Sequence, residues 1–255
     1  IGKSTLVLQT VLRIPEKRIL YVSGEESAAQ VRLRAERIGA LHDRLHLAAE
    51  SDLATILGHV DSVRPSLLVV DSVQTAADSQ IEGAAGGVAQ VRGVTSALVA
   101  DAKTRSMPVL LVGHVTKEGS IAGPRVLEHL VDVVCQFEGD RHSPLRMVRA
   151  VKNRYGPTEE VGCFELNEAG IRGLADPSGL FLSSRRENVP GTCVTMALEG
   201  RRPMPVEVQA LIVPSSGPPR RTTSGLESSR AAMAIAVLQS RLGLDLDRCD
   251  VFLST

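Results

Sequence analysis

The sequence has 255 residues, of which 43% are hydrophobic and 23% charged, a composition typical of a globular protein rather than of a disordered chain. Its 29 basic and 29 acidic residues cancel, which excludes a global positive field for nucleic acid and leaves only local patches. The four cysteines form no C-x-x-C pair, which argues against a zinc site or a disulfide framework in this segment. With no apolar run near the roughly 20 residues of a membrane span and no signal peptide, we predict a cytoplasmic protein without membrane contact.

The chain begins with a match to the end of a phosphate-binding loop. Gly2, Lys3 and Ser4 fit the last three positions of the G-x-x-x-x-G-K-[ST] motif, and residues 6–13 continue with helical spacing. Phosphates at a helix N-terminus gain from oriented amides and from the helix dipole. We therefore predict that Gly2, Lys3, Ser4 and Thr5 bind the phosphates of a nucleotide.

Short apolar runs then alternate with longer helical patterns. The predicted strands are Arg18–Glu25, Leu45–Glu50, Leu67–Ser72 and Val109–His114, and the predicted helices between them are Ala28–Ile38, Leu53–Val63 and Val88–Thr104. Runs that are apolar on both faces are typical of buried parallel strands. The alternation predicts an α/β protein with a doubly wound, mostly parallel sheet, whose ligands bind at the carboxyl ends of the strands.

Polar residues end these strands, and three of the strand ends carry candidate site residues. Asp71 follows four apolar residues, the pattern of a Walker B aspartate that orients Mg²⁺ through water, although the residues alone also allow a turn cap. With Ser4 it predicts a magnesium site. Glu25 and Glu26 end the strand after the loop helix, and we interpret Glu25 as the base that activates water and Glu26 as a residue that starts the next helix. His114 lies where a catalytic sensor of the γ-phosphate would act.

The pattern of predicted strands and helices changes after about Val133. From there strand patterns follow one another without intervening helices, and we predict that they extend the sheet as antiparallel neighbours. A turn cluster at Ala175–Gly179 divides the chain into a domain of residues 1–177 and a second domain of residues 178–255.

Five motifs occur in order along the chain: YVSGEES, DSVQT, GGVAQVR, GHVTKEGSIAGPRVLEHLVD and VKNRYG. The series resembles that of the RadA (Sms) family of bacterial DNA repair ATPases, and the similarity covers essentially the whole chain. Tyr155 departs from the family pattern, which usually has Phe there. The resemblance implies a RecA-like P-loop NTPase domain, followed by part of an α+β domain similar to that of Lon proteases. It also implies a fragment, because a zinc finger and the first half of the phosphate loop precede this point in the family.

The KNRYG motif contains two basic residues, Lys152 and Arg154, whose surroundings are typical of a solvated hairpin. The resemblance implies more, because the motif couples ATP hydrolysis to work on DNA in the family. In RecA-like rings, basic residues of one subunit commonly complete the neighbour's site like an arginine finger. Residues two apart on a strand point to the same face, so we predict that Lys152 and Arg154 act together as catalytic residues across a subunit interface.

Two glycine-containing loops, Ser79–Gly87 and Glu118–Arg125, are the candidate DNA contacts that the resemblance implies; flexible surface loops are the alternative. Small residues let main-chain amides approach phosphates closely, and Lys117 and Arg125 supply positive charge. Because aromatic stacking platforms are lacking, we expect DNA to be bound through its backbone, with salt sensitivity and without sequence specificity.

The expected protein is thus an ATP hydrolase, a DNA-dependent and helicase-like motor that uses ATP and Mg²⁺. It would act in homologous recombination during the response to DNA damage, by driving branch migration of recombination intermediates. Its expected partners are single-stranded and branched DNA, a RecA-type recombinase and further copies of itself in a ring, which we expect to be hexameric. Two alternatives stay open: an ATP-dependent protease similar to Lon, and a nucleotide-gated scaffold that does no catalytic work on DNA.

Overall fold

Four parallel strands form the sheet around which the first part of the chain folds. In the computed structural model, which describes residues 2–114, 127–139, 144–175 and 190–255, they are β1 (Ile19–Ser23), β2 (Leu45–Ala49), β3 (Leu67–Asp71) and β4 (Val109–Val112). Their order in the sheet is β2-β1-β3-β4, and every pair is parallel. The predicted parallel sheet is confirmed, and each strand is shorter than its sequence pattern by one to three residues.

Four helices flank this sheet in the described part of the chain: α1 (Lys3–Leu12), α2 (Ala28–Arg37), α3 (Leu53–Val63) and α4 (Val88–Arg105). Ser27 and Gln30 form a capping box at the start of α2. The Asp52 carboxylate caps α3 by accepting from the Thr55 main-chain N–H at 2.9 Å. Gly2 precedes α1 with a φ of 110°, a backbone conformation that favours glycine. No helix among the described residues is long and apolar enough to cross a membrane.

Apolar side chains cover both faces of the parallel sheet. The helices α1 and α2 pack on one face through residues such as Leu8 and Val31, and α3 and α4 pack on the other through residues such as Ile56 and Val94. All five residues of β1 are buried, which explains why its sequence shows no alternation of apolar and polar residues. The layered packing leaves the strand ends as the place where polar side chains meet.

The next four strands form a sheet of their own. They are β5 (Val133–Glu138), β6 (Leu145–Asn153), β7 (Val161–Asn167) and β8 (Gly170–Leu174), antiparallel and in chain order. The prediction that they extend the parallel sheet is wrong for the residues described, because successive strands satisfy their hydrogen bonds with one another. The sheet lies beside α1 instead, where the Gln9 side chain accepts from the Ile171 main-chain N–H at 2.7 Å.

The chain divides into two units, Ile1–Leu174 and Ala175–Thr255. The second unit contains β9 (Thr192–Glu199), β10 (Arg202–Pro214), β11 (Arg221–Ser224), α5 (Ser228–Leu242) and β12 (Cys249–Ser254), with sheet order β11-β12-β10-β9. Strand β10 is antiparallel to β9 and β12, whereas β11 is parallel to β12. Residue 177, the predicted domain boundary, lies outside the described residues, so the predicted domain limits and the Lon-like character stay predictions.

Candidate active site

The carboxyl edge of the parallel sheet brings polar residues from distant parts of the chain together. Ser23 at the end of β1 is in register with Asp71 at the end of β3, and Asp71 is in register with Val112 in β4. His114 follows β4 by two residues, and Lys3 enters from the start of α1. Parallel strands have their carboxyl ends at one edge of the sheet, and this shared direction accounts for the grouping of the strand-end residues.

Lys3, His114 and Glu25 form a continuous set of polar contacts at this edge. The Lys3 Nζ donates to the Gly113 main-chain oxygen and lies 3.1 Å from His114 Nδ1. On the other side of the ring, His114 Nε2 lies 3.5 Å from Glu25 Oε1. The Ser72 hydroxyl donates to the same Glu25 oxygen at 2.7 Å. The structure therefore brings three of the predicted site residues together, and their catalytic roles stay predictions.

The Lys3 ammonium is partly buried, and this burial lowers its pKa below the ordinary value for lysine. The Asp71 and Glu25 carboxylates act in the opposite direction and raise that pKa, but the effect of burial is larger. A desolvated cation with incomplete compensation from nearby carboxylates is stabilised by a further anion. This environment is suited to a nucleotide phosphate.

The two adjacent glutamates have different surroundings. Both carboxylate oxygens of Glu26 accept from the Arg34 guanidinium, at 2.6 Å and 2.5 Å. Such a bidentate ion pair fixes a carboxylate and satisfies its acceptors. The Glu25 side chain is 47% exposed and faces His114. Glu25 is thus the carboxylate that keeps access to a water molecule, which favours the interpretation of Glu25 as base and Glu26 as supporting residue.

Asp71 and Ser4 meet through the phenol of Tyr21. The Tyr21 hydroxyl donates to Asp71 Oδ2 at 2.6 Å, and the Ser4 side chain is close enough to lower the pKa of the same phenol. Burial, followed by the Asp71 carboxylate, raises the pKa of Tyr21 above its ordinary value, so the phenol stays a donor at neutral pH. Thr5, predicted with them, is buried in the first turn of α1.

The oxygen atoms of Asp71 and Ser4 fit a magnesium ion. Mg²⁺ takes oxygen ligands, keeps several waters and is commonly held by one or two carboxylates together with substrate phosphates. One buried carboxylate, held by a phenol that also lies near one hydroxyl, matches such a sparse ligand set. The described residues hold no group of three or more His, Cys, Asp and Glu that would form a site made of protein ligands alone.

The predicted finger residues lie differently from the sequence-based expectation. Strand β6 ends one residue before Arg154, so Arg154 lies in the following turn and does not share a strand face with Lys152. The Lys152 ammonium donates to the main-chain oxygens of Glu128 and Val131, which ties the strand to the turn before β5. Arg154 donates to the Asp132 carboxylate at 2.7 Å. Both cations thus have partners in their own chain, and the role across an interface stays a prediction.

Of the predicted DNA-contacting residues, only one loop is in the described part of the chain. Lys117, Arg125 and the loop Glu118–Arg125 lie outside the described residues. In the other loop, Ser79–Gly87, Gly83 and Gly86 have φ values of 107° and 80°, which only glycine adopts without strain.

The side chain of Gln90, near the start of α4, is only 3% exposed and holds the loop Ser79–Gly87 in place. Its Oε1 accepts from the Asp78 main-chain N–H at 3.0 Å, and its Nε2 donates to the main-chain oxygens of Asp78, Ile81 and Gly83. One buried amide therefore binds four main-chain groups, two of Asp78 just before the loop and two within it. The loop is preformed rather than adaptable in this part of its length.

Sequence reasoning did not single out Tyr21, Ser72, Arg34 or Gln90. Tyr21 is a polar residue inside an apolar run, and Gln90 belongs to the GGVAQVR motif, so both left a signal in the sequence. Ser72 belongs to the DSVQT motif, whereas Arg34 left no signal, because its partner Glu26 is positioned by the turn after β1.

The fold has counterparts among solved structures. The KaiC-like protein PH0186 from Pyrococcus horikoshii OT3 is similar with a TM-score of 0.51 and 17% identity, over 68% of this chain and 84% of that chain. The RadB recombinase is similar with a TM-score of 0.48 and 25% identity, over 67% of this chain and 84% of that chain. The first likeness supports the fold alone, a RecA-like α/β fold with a mostly parallel sheet.

The sequence has relatives along its full length. The DNA repair protein RadA of Mycolicibacterium smegmatis is 59% identical over 261 residues, which cover 100% of this chain and 56% of that protein. The RadA proteins of Mycobacterium tuberculosis and Bacillus subtilis are 54% and 48% identical, over 100% and 99% of this chain and 54% and 56% of those proteins. No protein-family model matches the chain. The chain spans about half the length of these relatives, and over that part it is similar to the RadA proteins along its full length.

Proposed function

We propose that the chain is the ATPase core, with part of a second domain, of a protein that works on DNA in homologous recombination and repair. The relatives named above are DNA repair proteins, which supports this assignment. The observation that carries it is the set Lys3, Glu25, Asp71 and His114 at one edge of a parallel sheet. A cation, a carboxylate that faces solvent, a buried carboxylate and a histidine are the groups that hydrolysis of a nucleoside triphosphate requires.

Each of these residues has one task in the proposed reaction. Lys3 leaves the Gly113 carbonyl and binds the β- and γ-phosphates, with the amides at the start of α1 as further donors. Ser4 and Asp71 hold Mg²⁺, which when bound neutralises charge on the phosphate oxygens. Glu25, held by Ser72, accepts a proton from the attacking water.

His114 is placed to report on the γ-phosphate. Its ring lies between the Lys3 ammonium and the Glu25 carboxylate, and its main-chain N–H and C=O are bound by the Gln74 amide, at 3.3 Å and 3.0 Å. A phosphate that draws Lys3 away removes one partner of the ring. The residues after His114 lead into the predicted DNA loop, so a shift at this ring is a route from nucleotide to DNA.

The proposed work on DNA is branch migration of recombination intermediates by a ring of subunits, with a RecA-type recombinase as partner. The loop Ser79–Gly87 and the cations Lys117 and Arg125 would contact the phosphates of single-stranded and branched DNA. Arg154 would reach the neighbouring site by exchanging its Asp132 partner for a γ-phosphate. Such work takes place on chromosomal DNA, in keeping with the predicted cytoplasmic location.

DNA-stimulated ATP hydrolysis by the full-length protein tests this proposal. We expect single-stranded DNA to raise the rate of phosphate release. We expect the branch point of branched DNA to move only when ATP is hydrolysed. DNA binding should weaken with salt, and Lys117→Ala with Arg125→Ala should reduce the steepness of that dependence by about one unit for each lost phosphate contact. ATP hydrolysis that DNA does not change would favour a scaffold, and weakening at one base sequence only would contradict backbone recognition.

A further inference from the structure

Tyr21 is a buried polar residue to which the proposed reaction gives no task. It is the third residue of β1 and is 1% exposed, with its ring among apolar residues of α1 and α2 such as Leu8 and Val31. A phenylalanine ring would fill this apolar space as well. The hydroxyl therefore needs an explanation other than packing, because a buried polar group costs free energy unless it is hydrogen-bonded.

The hydroxyl joins the two groups that are proposed to hold magnesium. Because β1 and β3 pair in register with Ser23 opposite Asp71, Tyr21 lies two residues earlier on the face that Asp71 shares. The same face is covered by α1, whose first turn carries Ser4. The 2.6 Å hydrogen bond to Asp71 Oδ2 thus follows from the strand register, and the nearness of Ser4 to the phenol follows from the position of α1.

We propose that Tyr21 is a positioning residue for the magnesium site, an inference that rests on the proposed function. The packed ring holds the hydroxyl in place, and the hydroxyl holds one oxygen of Asp71. A carboxylate with one oxygen held cannot rotate freely, so its other oxygen is presented to the metal's water in one orientation. Residues that orient metal-binding carboxylates in this way raise metal affinity by about 10-fold to 100-fold.

The test is Tyr21→Phe in the full-length protein, with nucleotide binding as the readout. Binding of a fluorescent ADP is titrated with Mg²⁺, and the midpoint is expected to rise about tenfold in the variant. Binding of the same nucleotide in EDTA is expected to stay within about twofold, because the phosphate contacts of Lys3 do not involve the phenol. Tyr155→Phe makes the same chemical change at a residue that is 80% exposed, and its midpoint should not move.

Two further variants distinguish the loss of the hydrogen-bond donor at Tyr21 from a loss of the folded structure. Incorporation of 4-aminophenylalanine in place of Tyr21 keeps a hydrogen-bond donor at the ring and should restore the midpoint. In an Asp71→Asn background, Tyr21→Phe should add no further shift, because the phenol acts through that carboxylate. Circular dichroism and thermal unfolding are measured in parallel, so that a loss of fold in Tyr21→Phe is recognised. If Tyr21→Phe loses its fold, the midpoint with 4-aminophenylalanine at this position decides whether the donor is required.

The outcomes distinguish this inference from the function on which it rests. An unchanged midpoint in Tyr21→Phe, beside a clear dependence on Mg²⁺ in the unsubstituted protein, would overturn the role of Tyr21 alone. Failure of the amino analogue to restore the midpoint, or additive shifts with Asp71→Asn, would also overturn it. Nucleotide binding that is independent of Mg²⁺ in the unsubstituted protein would overturn the magnesium site itself and this inference with it.

Discussion

The carboxyl edge of the parallel sheet and the turn after β6 both hold charged residues, but they differ in how far those charges are already satisfied. At the sheet edge, Lys3 loses hydration through burial and Glu25 stays about half exposed beside His114. At the end of β6 the Lys152 ammonium binds two main-chain carbonyls, and in the turn that follows Arg154 binds Asp132. The first region has capacity left for a ligand, whereas the second is stable without one.

This difference has a physical origin in how each region is built. Parallel strands bring residues from far apart in the chain to one edge, where the Asp71 and Glu25 carboxylates only partly offset the burial of Lys3. At the end of β6, antiparallel pairing with β5 brings Lys152 and Arg154 beside residues 128–132, which supply two carbonyl groups and the Asp132 carboxylate. The comparison predicts that substitutions at the sheet edge change catalysis and that substitutions near β6 change stability first.

The largest expected effect is at Lys3. In the full-length protein, Lys3→Ala should lower the rate of ATP hydrolysis by about a hundredfold or more, because it removes the cation that faces the reacting phosphates. Phosphate release at saturating ATP is the measurement. Lys17→Ala changes an exposed lysine beyond the far end of α1 and should keep the normal rate. Equal rates in the two variants would contradict the assignment of the sheet edge.

Arg154 gives the strongest test of the difference between the two regions. A role across a subunit interface would make the turn after β6 catalytic, as the sheet edge is proposed to be. An Arg154→Ala subunit keeps its own Lys3, Asp71 and Glu25, so mixing it with a Lys3→Ala subunit should restore part of the ATPase activity. Each variant alone should be nearly inactive. Mixed assemblies that contain both subunits and recover no activity at any ratio would assign Arg154 to the fold or to DNA contact.

Lys152 and Arg154 should differ in their effect on stability. Lys152→Met keeps the apolar stem but leaves two carbonyls without their donor, which should cost about 1–3 kcal/mol of unfolding free energy. Arg154→Ala breaks an exposed ion pair and should cost less than about 1 kcal/mol. Urea unfolding of both variants measures the difference. The opposite order would mean that the Lys152 contacts contribute little to the fold.

The sheet edge itself is close-packed around Gly24, although its charges are open to ligand. A Cβ atom on Gly24 would lie 2.1 Å from Thr75 Oγ1, so Gly24→Ala should destabilise the protein by about 1–3 kcal/mol. A Cβ atom on Gly58 in α3 would have no other atom within 4 Å, and Gly58→Ala should stabilise by about 0.4–1 kcal/mol. Thermal unfolding of the pair checks both signs, and equal shifts would show that Thr75 moves aside.

The four parallel strands and the polar residues at their ends were predictable because each rests on a local pattern. Four apolar runs, each followed by a polar residue, were enough to place Glu25, Asp71 and His114 at one edge. The position of β5–β8 was not predictable, because the attachment of β8 to α1 depends on Gln9, a residue about 160 positions away in sequence. Hydrogen-bond partners such as Tyr21 for Asp71 depend on side-chain reach across two strands, which spacing within one strand does not contain.

The central claim is that Glu25, and not its neighbour Glu26, activates the attacking water. Glu25→Gln and Glu26→Gln make the same change at adjacent residues, and single-turnover hydrolysis of bound ATP measures the chemical step in each. We predict that both variants bind ATP, that Glu25→Gln slows the step by about 10²-fold to 10⁴-fold, and that Glu26→Gln slows it by less than about tenfold, because its carboxylate is already bound to Arg34. Normal hydrolysis in Glu25→Gln, with loss in Glu26→Gln, would contradict the account.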